Sequence, residues 1–335
     1  MCAGRGAVVA QTAFAPPSGE PGAGRMARID PEDSGLDTVN TYADERMWAE
    51  RYLAATSGAV GSGIAAGDFD GDGLPDLFIG FRETRNRLYR NEGGMRFRDV
   101  TEEAGIRASP DWTTGVTAVD FEGDGDLDLY VCFYNAPNRL YLNAGDGRFR
   151  ERAAAYGIDA VSASNAGFFA DYDRDGDLDL YLQTNQLEDL NDGNGQPDFL
   201  LRNDGSAGFT DVTAAAGLRV GAEGLTLGHS ALWVDFDQDG RLDLLVANDF
   251  EAPDFLYRNR GDGSFERAGE RLPVVPYSSM GSDCGDVNND GRVDYLLTDM
   301  AATTYAKHAE SMLSNGRKAN LLAGSERPVQ VMKNA

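Results

Sequence analysis

The stretch DYDRDGDLDLYLQ at residues 171–183 decides the fold of this chain. It places carboxylates at positions 1, 3, 5 and 9 of a short loop, namely Asp171, Asp173, Asp175 and Asp179, and a glycine at position 6. Alternate oxygen ligands around a glycine turn suit a hard cation such as Ca2+, to which position 7 adds its backbone carbonyl. Without a cation, carboxylates this close together repel one another, and water screens the repulsion only partly. The stretch therefore predicts a cation-binding loop.

Four further stretches repeat the pattern, each with the glycine at position 6. They are DFDGDGLPDLFIG (68–80), DFEGDGDLDLYVC (120–132), DFDQDGRLDLLVA (235–247) and DVNNDGRVDYLLT (286–298). The five loops start at residues 68, 120, 171, 235 and 286, so the period is about fifty residues with one insertion in the third unit. Self-similarity at such a period is the signature of a repeat architecture.

The residues that flank each loop predict strands. An EF-hand would place a bidentate Glu at position 12 and continue as a helix, but position 12 is apolar in every repeat: Ile79, Val131, Leu182, Val246 and Leu297. Alternating apolar and β-branched residues around each loop indicate a β-hairpin. A second hairpin follows in RLYRNEGGMRF (87–97), RLYLNAGDGRF (139–149), FLLRNDGSAGF (199–209) and FLYRNRGDGSF (255–265). Each repeat therefore predicts four antiparallel strands, the size of one propeller blade.

We expect an all-β fold, a β-propeller of about five four-stranded blades with short helical insertions. One propeller domain would cover residues 26–335, with repeats near 60–106, 112–158, 163–218, 227–274 and 278–335. Residues 1–25 are predicted to be a flexible tail or the remnant of an export signal. Short helices are expected within 41–54 and 305–313, and the insertion at 187–198 resembles an incomplete metal loop that ends at Asp198.

These motifs resemble the FG-GAP or VCBS type of Ca2+-binding propeller repeat, as found in integrin α-chain heads. The strings L-Y-x-N-x-G-D-G-x-F and D-V-T-x-x-A-G-[IL] are similar to those of the cartilage-acidic-protein and UnbV-like secreted group. The resemblance covers roughly residues 60–300. It implies that each acidic loop joins the first two strands of its blade and binds Ca2+. It also leaves open whether the chain is a closed five-bladed ring, completed by 26–36 as an orphan fourth strand, or an arc of a seven-bladed one.

Carried over residue by residue, the resemblance implies about five Ca2+ sites. The ligands come from positions 1, 3, 5, 7 and 9 of each loop: Asp68, Asp70, Asp72, Leu74 and Asp76; Asp120, Glu122, Asp124, Asp126 and Asp128; Asp171, Asp173, Asp175, Asp177 and Asp179; Asp235, Asp237, Asp239, Arg241 and Asp243; and Asp286, Asn288, Asp290, Arg292 and Asp294. Glu122 is one methylene longer than Asp, and Asn288 removes a charge. Loops two and five are therefore expected to bind the cation more weakly.

Composition narrows the partners and the compartment. With 30 Lys and Arg against 55 Asp and Glu, the net charge of -25 argues against nucleic acid or an anionic membrane surface as a partner. No run of eighteen apolar residues occurs, so no transmembrane segment is predicted. Loops of this type suit millimolar calcium, which indicates an extracellular, periplasmic or cell-surface location. We expect a monomer, with Cys132 and Cys284 reduced and buried.

Two functions are compatible with these observations. The first is a secreted Ca2+-binding module for adhesion to, or interaction with, a protein or glycan; the second is a polysaccharide-active lyase or hydrolase on the same scaffold. No catalytic motif is found, and a structural role is expected for His229. The R-G-D at 260–262 aligns with a hairpin turn of repeat two and is interpreted as a turn. We therefore favour the first function and predict no enzymatic activity.

The variable connections predict where such a module would bind its partner. If the metal loops lie on one face, the segments 81–86, 133–138, 183–198, 248–254 and 299–328 lie on the opposite face. Variable loops on a rigid repeating scaffold are a usual place for recognition. We expect Trp112, Tyr134 and Asn135 to be exposed there.

Overall fold

The computed structural model describes residues 29–40, 62–107, 109–185, 197–218, 228–248, 254–269, 272, 274–276, 279–299 and 329–331. Regular structure in these ranges is almost entirely β. Repeat one contains β1 (Ile64–Gly67), β2 (Asp76–Ile79), β3 (Arg87–Asn91) and β4 (Phe97–Asp99). Repeat two contains β5 (Thr113–Val119), β6 (Asp128–Pro137), β7 (Arg139–Asn143) and β8 (Phe149–Glu151). Repeat three contains β9 (Val161–Ala170), β10 (Asp179–Thr184), β11 (Phe199–Asn203) and β12 (Phe209–Asp211).

Repeats four and five continue the series. Repeat four contains β13 (Gly228–Val234), β14 (Asp243–Asn248), β15 (Phe255–Asn259) and β16 (Phe265–Arg267). Repeat five contains β17 (Val274–Pro276), β18 (Ser279–Gly285), β19 (Asp294–Asp299) and β20 (Val329–Val331). The described helical segments are α1 (Pro31–Ser34), α2 (Ala153–Tyr156) and one 3-10 turn at Gly205–Ala207. The helices expected within 41–54 and 305–313 lie outside the described residues.

Each of the first four repeats forms a four-stranded antiparallel blade in sequence order. The first hairpin of repeat one closes on the pair Gly67↔Asp76, which brackets the acidic loop, and the other repeats close in the same register. Repeat five contributes the hairpin of β18 and β19. The all-β propeller-type fold is therefore confirmed, whereas the number of blades stays a prediction.

The hydrophobic core lies between neighbouring blades. The residue at loop position 2 of one blade packs on the phenylalanine that begins the fourth strand of the next. Phe69 meets Phe149 with ring centroids 5.9 Å apart, Phe121 meets Phe209 at 6.1 Å and Tyr172 meets Phe265 at 5.5 Å. These rings belong to buried clusters that join repeats one and two, two and three, and three and four. The aromatic of each acidic loop therefore stacks successive blades, because burying it removes apolar surface from water.

First strands of successive blades lie side by side around the axis and approach closely. A Cβ on Gly115 of β5 would lie 2.2 Å from the carbonyl oxygen of Asn165 in β9, so only glycine fits there. Two β5 hydroxyls bond to β9 carbonyls: Thr114 Oγ1 to Ser164 O at 2.7 Å and Thr117 Oγ1 to Gly167 O at 2.8 Å. The inner strands are thus held by hydrogen bonds as well as by packing.

Repeats two and three are joined by a strand pairing that the sequence did not predict. The segment 133–137, expected to be a connection, continues β6 and pairs with the start of β9 through Tyr134↔Ala163, Ala136↔Ser162 and Pro137↔Val161. As a result Trp112 and Tyr134 are buried, with ring centroids 5.0 Å apart, and the expectation that they are exposed is wrong. The crowding of strands at this junction is the physical reason. Asn135 is exposed, as expected.

Residues 29–36 repeat the turn that ends each blade. In that turn a left-handed glycine packs on the start of the neighbouring fourth strand, as Gly105 does against the carbonyl of Phe149. Gly35, with φ of 76°, lies in the same way against the carbonyl of Phe97. The segment therefore has the blade-ending conformation, with α1 in place of the expected strand over its described part, because Pro31 favours a helical start. Closure of a ring by this segment stays a prediction.

The expected role of 329–331 and the expected burial of Cys284 both need correction. The segment 329–331 was expected to act as a third strand, but β20 pairs in parallel with β17. Cys132 is buried and free, as expected, and burial raises the pKa of its thiol. Cys284 is only half-buried, contrary to expectation, because it lies on β18, which pairs with β19 alone among the described strands.

Candidate metal centres

Four of the five acidic loops share one hydrogen-bond pattern at position 1; in the third loop the N–H of Asp175 donates to Asp173 instead. The position-1 carboxylate accepts from the backbone N–H groups of positions 5 and 6, as Asp68 does from Asp72 at 3.1 Å and from Gly73 at 2.9 Å. Asp120, Asp235 and Asp286 accept the same two hydrogen bonds at distances within 0.2 Å of these. The distances are 3.0 and 3.1 Å at Asp120, and 3.0 and 2.8 Å at both Asp235 and Asp286. In all five loops the position-5 carboxylate accepts a hydrogen bond from the backbone N–H of position 7. The position-7 residues are Leu74, Asp126, Asp177, Arg241 and Arg292. The loops are thus preorganised by their own backbone.

Position 9 is a buried structural clamp. One oxygen of Asp76 accepts from the N–H of Phe69 at 3.2 Å and the other from the N–H of Asn91 on β3 at 2.8 Å. Asp128, Asp179 and Asp243 make the equivalent pair of bonds, and all four carboxylates are at most 2% exposed. Asp294 accepts from the N–H of Val287 at 3.1 Å. Position 9 therefore ties its loop to the third strand of the blade, a role that loop spacing did not indicate.

Burial changes the acidity of these clamp residues. Desolvation raises the pKa of Asp179 to about 7 and those of Asp128 and Asp243 to about 6, and it raises the pKa of Asp76 as well. Hydrogen bonds from the backbone oppose the shift, and neighbouring carboxylates of the same loop add to it. Burial thus disfavours the ionised carboxylate, and a nearby cation would favour it.

Three loops bring ligand atoms together. Carboxylate oxygens lie within 4.8 Å of one another in the groups Asp68, Asp70 and Asp76; Asp171, Asp173 and Asp179; and Asp235, Asp237 and Asp239. Loops two and five, where Glu122 and Asn288 replace Asp at position 3, form no such group of three acids among the described residues. That difference is compatible with weaker sites there, which stays a prediction, as does the assignment of every ligand.

The third loop fits a cation best. Asp171 accepts from the N–H of Gly176 through Oδ2 at 3.2 Å, but its Oδ1 atom is buried and has no hydrogen-bond partner in the described part of the chain. A buried carboxylate oxygen without a partner is costly. Because this atom belongs to a cluster of three carboxylates, the donor set is the all-oxygen one that Ca2+ takes. The residues present therefore fit the ion that the sequence predicts.

Arginines of the third strands reach the position-3 carboxylates. Arg90 Nε lies 2.6 Å from Asp70 Oδ2, and Arg258 Nε lies 2.6 Å from Asp237 Oδ2. Burial alone would raise the pKa of Asp237, but the hydrogen bond and the charge of Arg258, together with hydrogen bonds involving Asp239, lower the pKa overall. Arg202 pairs instead with Asp204 at 2.8 Å, and the pKa of Asp173 is raised by burial and by Asp175. The ion pair between the third-strand arginine and the position-3 carboxylate thus differs from blade to blade.

The opposite end of each blade carries a second buried clamp that sequence reasoning missed. Asn86 and Asn138 each accept at 3.0 Å from a backbone N–H of the preceding strand end, those of Phe81 and Phe133. Asp198 takes this place in repeat three, where it accepts from Tyr181 Oη at 2.6 Å and from the N–H of Thr184 at 2.7 Å. Asp198 therefore has a structural role in this clamp. Residues 187–196 lie outside the described residues, so the incomplete metal loop expected there stays a prediction. An Asn or Asp just before each third strand was the available signal.

Two amides whose buried oxygens accept no hydrogen bond from the described residues converge at that end of blade three. Gln183 Nε2 donates to Ser230 O at 3.1 Å and Asn185 Nδ2 to Gly228 O at 3.2 Å. Their oxygens, Gln183 Oε1 and Asn185 Oδ1, are buried and accept no hydrogen bond from the described residues. His229 Nε2 lies 3.4 Å from Asn185 Nδ2. This amide cluster of Gln183, Asn185 and His229 lies at the junction of blades three and four.

The R-G-D segment forms the turn between β15 and β16. Arg260 N donates to Ser264 O at 2.9 Å, Asp262 Oδ1 accepts from Ser264 N at 3.0 Å, and the guanidinium of Arg260 pairs with Glu266 at 2.8 Å. The interpretation of 260–262 as a turn is confirmed.

Four-stranded antiparallel blades, each with an acidic loop between its first two strands, define a class of repeat β-propellers with candidate cation-binding loops. The family description FG-GAP-like repeat matches residues 68–131, 123–182 and 235–297, more than half of the chain. The protein belongs to this FG-GAP-like repeat family. Among the described residues, no helix is long and apolar enough to cross a membrane.

The individual proteins described next share 18% to 28% sequence identity with this chain. Cartilage acidic protein 1 of Mus musculus is 27% identical over 271 residues, which cover 79% of this chain and 40% of that protein. Phosphatidylinositol-glycan-specific phospholipase D of Rattus norvegicus is 28% identical over 144 residues, covering 40% of this chain and 16% of that protein. A solved structure of an Agrocybe aegerita lectin that recognises non-reducing terminal N-acetylglucosamine is 18% identical, with a TM-score of 0.42 over 70% of this chain and 59% of that one. The chain thus spans about two fifths of the length of that cartilage acidic protein 1.

Proposed function

We propose that this protein is a Ca2+-stabilised interaction module that acts outside the cytoplasm and binds a glycan or protein through the face opposite the metal loops. One observation carries the proposal: the two ends of blade three both hold buried oxygen atoms that have no hydrogen-bond partner among the described residues, and these atoms differ in chemistry. At the loop end the atom is Asp171 Oδ1; at the other end the atoms are Gln183 Oε1 and Asn185 Oδ1. Charged oxygen suits a cation, and neutral amide oxygen suits a hydrogen-bond donor.

At the loop end, Asp171, Asp173 and Asp179 would hold the ion. When bound, Ca2+ supplies positive charge that offsets the repulsion among these carboxylates. The chain supplies the rest: backbone N–H groups orient Asp171 and Asp175, and the clamp at Asp179 ties the loop to β11. The expected role of the cation is therefore to stabilise the blade.

At the opposite end, the amide cluster offers two buried acceptors beside an imidazole. Sugar hydroxyls and peptide N–H groups are donors that would satisfy them. Asn135 adds an exposed amide on the same face of the neighbouring blade. The burial of Trp112 and Tyr134 moves the proposed binding surface from the aromatic residues to these amides. The alternative of a polysaccharide-active enzyme has no specific observation in its favour and stays untested.

The test separates the two ends. Gln183→Met keeps the side-chain volume but removes the amide, whereas Asp171→Asn removes charge at the loop end. Binding of each variant to a panel of neutral oligosaccharides and of extracellular-matrix proteins would be measured in calcium-containing buffer, beside thermal unfolding. We expect Gln183→Met to lose ligand binding by about tenfold, the value of one good hydrogen bond, while its Ca2+-dependent stabilisation is retained. Asp171→Asn should show the reverse. Loss of binding in Asp171→Asn alone would place recognition on the metal face and contradict the proposal.

A further inference from the structure

Repeat two departs from its neighbours at positions that converge on one cleft. The third strand carries Arg90, Arg202 and Arg258 in repeats one, three and four, but Leu142 in repeat two. The residue that opens the following turn is Glu92 in repeat one and Asp204 in repeat three, but Ala144 in repeat two. Repeat two therefore lacks both the arginine that can pair with the position-3 carboxylate and the acid at the start of the following turn.

Arg150 on the fourth strand of repeat two, and Arg152 directly after that strand, consequently lack the acids that pair with the arginine of repeat one. In repeat one, Arg98 pairs with Glu92 at 3.1 Å and with Glu103 at 2.9 Å. The equivalent of Arg98 is Arg150, since each faces the same third-strand position, and the two acids are replaced by Ala144 and Ala155. Arg152 stands where repeats one and three have Val100 and Val212. Both arginines are exposed, and neither forms an ion pair with any described residue.

These side chains line a cleft beside the second metal loop. It has a volume of about 500 Å3, and its walls include Arg150, Arg152, Leu142, Tyr156 and Glu122. Tyr156 stands where repeats one and three have alanine, Ala104 and Ala216. Its ring meets Phe121 edge-on, with centroids 5.1 Å apart and planes at 84°, so the ring is held in place and only part of it is buried.

The chemistry of the walls selects the ligand. Two unpaired guanidiniums favour a carboxylate or sulfate, which they can bind through charge-assisted hydrogen bonds. Tyr156 and Leu142 offer apolar surface to a sugar ring, and the Glu122 carboxylate adds negative charge to one wall. A peptide rich in acids would bring further carboxylates against Glu122, which opposes its binding. We propose that this cleft binds an acidic saccharide, a sugar ring that carries a carboxylate or sulfate. The site lies at the loop end of blade two and is independent of the amide cluster.

The repeats themselves supply variants that the fold tolerates. Arg150→Thr and Arg152→Val install the residues that repeat three carries at these positions, Thr210 and Val212, and Tyr156→Ala installs the residue of repeats one and three. Arg148→Ala is the matched control, since Arg148 is exposed, lies on the adjacent turn and is already paired with Asp146 at 3.0 Å. It removes the same unit of charge without touching the cleft.

The experiment titrates the full chain, in calcium-containing buffer, with an oligogalacturonate, a sulfated disaccharide, their neutral counterparts and a polyglutamate peptide. We expect one of the two acidic sugars to bind and the neutral sugars to bind at least tenfold more weakly; which acidic sugar binds decides between carboxylate and sulfate. Arg150→Thr and Arg152→Val should each weaken binding by about tenfold or more, the value of a charge-assisted hydrogen bond, with unchanged melting temperature. Arg148→Ala should stay within about twofold. Tighter binding of the peptide, equal loss in Arg148→Ala, or no binding of either acidic sugar would overturn the proposal.

Discussion

At the scale of single residues, the loops share a left-handed backbone at position 4. Gly71 and Gly123 occupy it in repeats one and two, with φ of 74° and 69°, but Arg174, Gln238 and Asn289 hold the same conformation in the other repeats, with φ of 67°, 60° and 60°. For a residue with a Cβ this conformation costs about 1–2 kcal/mol, whereas glycine adopts it freely. The strain persists in three loops because their hydrogen bonds to positions 1 and 5 require the turn.

We therefore predict that Arg174→Gly stabilises the protein. Relief of about 1–2 kcal/mol of strain is partly offset by up to about 1 kcal/mol of extra chain entropy, so the free energy of unfolding should rise by about 0.5–1 kcal/mol. Urea unfolding at saturating calcium would measure it. Gly123→Arg, the reciprocal change in repeat two, should lower the value, and a loss of stability in both variants would contradict the argument.

The spacing of acids and glycines could be predicted from the sequence because a turn is a local structure. The acidic loops and their flanking hairpins followed from residues that are neighbours in the chain. The clamp at Asp179, the pairing of Arg90 with Asp70 and the burial of Tyr134 depend on contacts between strands, whose register the loop spacing does not encode. The same limit explains why the hydrogen bonds that Asp198 accepts from Tyr181 and Thr184 were not predicted.

At the scale of elements, an asparagine links each of two loops to the blade that follows. Asn143 Nδ2 donates to Phe69 O in the loop of repeat one at 2.8 Å, and Asn259 Nδ2 donates to Tyr172 O in the loop of repeat three at 2.9 Å. Both side chains also cap their own hairpin turns through Oδ1. A metal loop is thus held by its own third strand and by that of the next blade.

Replacement of Asn143 by alanine should cost more stability than replacement of Asn91. Asn91 caps its own turn and donates to Pro75 O at 2.9 Å within its own repeat, so it lacks the link between blades. The Asn143→Ala variant additionally leaves the buried Phe69 carbonyl without its donor, and we expect it to lose about 1 kcal/mol more, the value of one hydrogen bond. Parallel urea titrations of Asn143→Ala and Asn91→Ala would show it. Equal losses would mean that this link adds nothing to stability.

At the scale of the whole molecule, calcium should dominate stability. A site that is saturated a hundredfold above its Kd stabilises the folded state by about 2.7 kcal/mol, and two or three such sites compare with the net stability of an entire domain. We expect the melting temperature to fall strongly in excess chelator and to recover with Ca2+. Isothermal titration of Asp171→Asn should report one site fewer than the parent chain. An unchanged melting temperature in chelator would show that the loops are stable without the ion.

The number of blades could not be predicted from the sequence. A period of about fifty residues is compatible with rings of several sizes, because the ring size is set by the angle between neighbouring blades. That angle depends on how the large side chains between blades interlock, as Phe69 does with Phe149 and Tyr172 with Phe265. Residue spacing carries no information about it.

The ladder between β6 and β9 has a mechanical consequence. In repeats one and four, the hydrogen bonds within each blade close inside one repeat, so tension along the chain can unzip that blade alone. Repeats two and three share one continuous eight-stranded sheet, and β6 cannot leave it without releasing β9. Under load these two repeats therefore extend as a single unit of roughly twice the length of the others. We expect repeats two and three to resist pulling longer than repeats one and four.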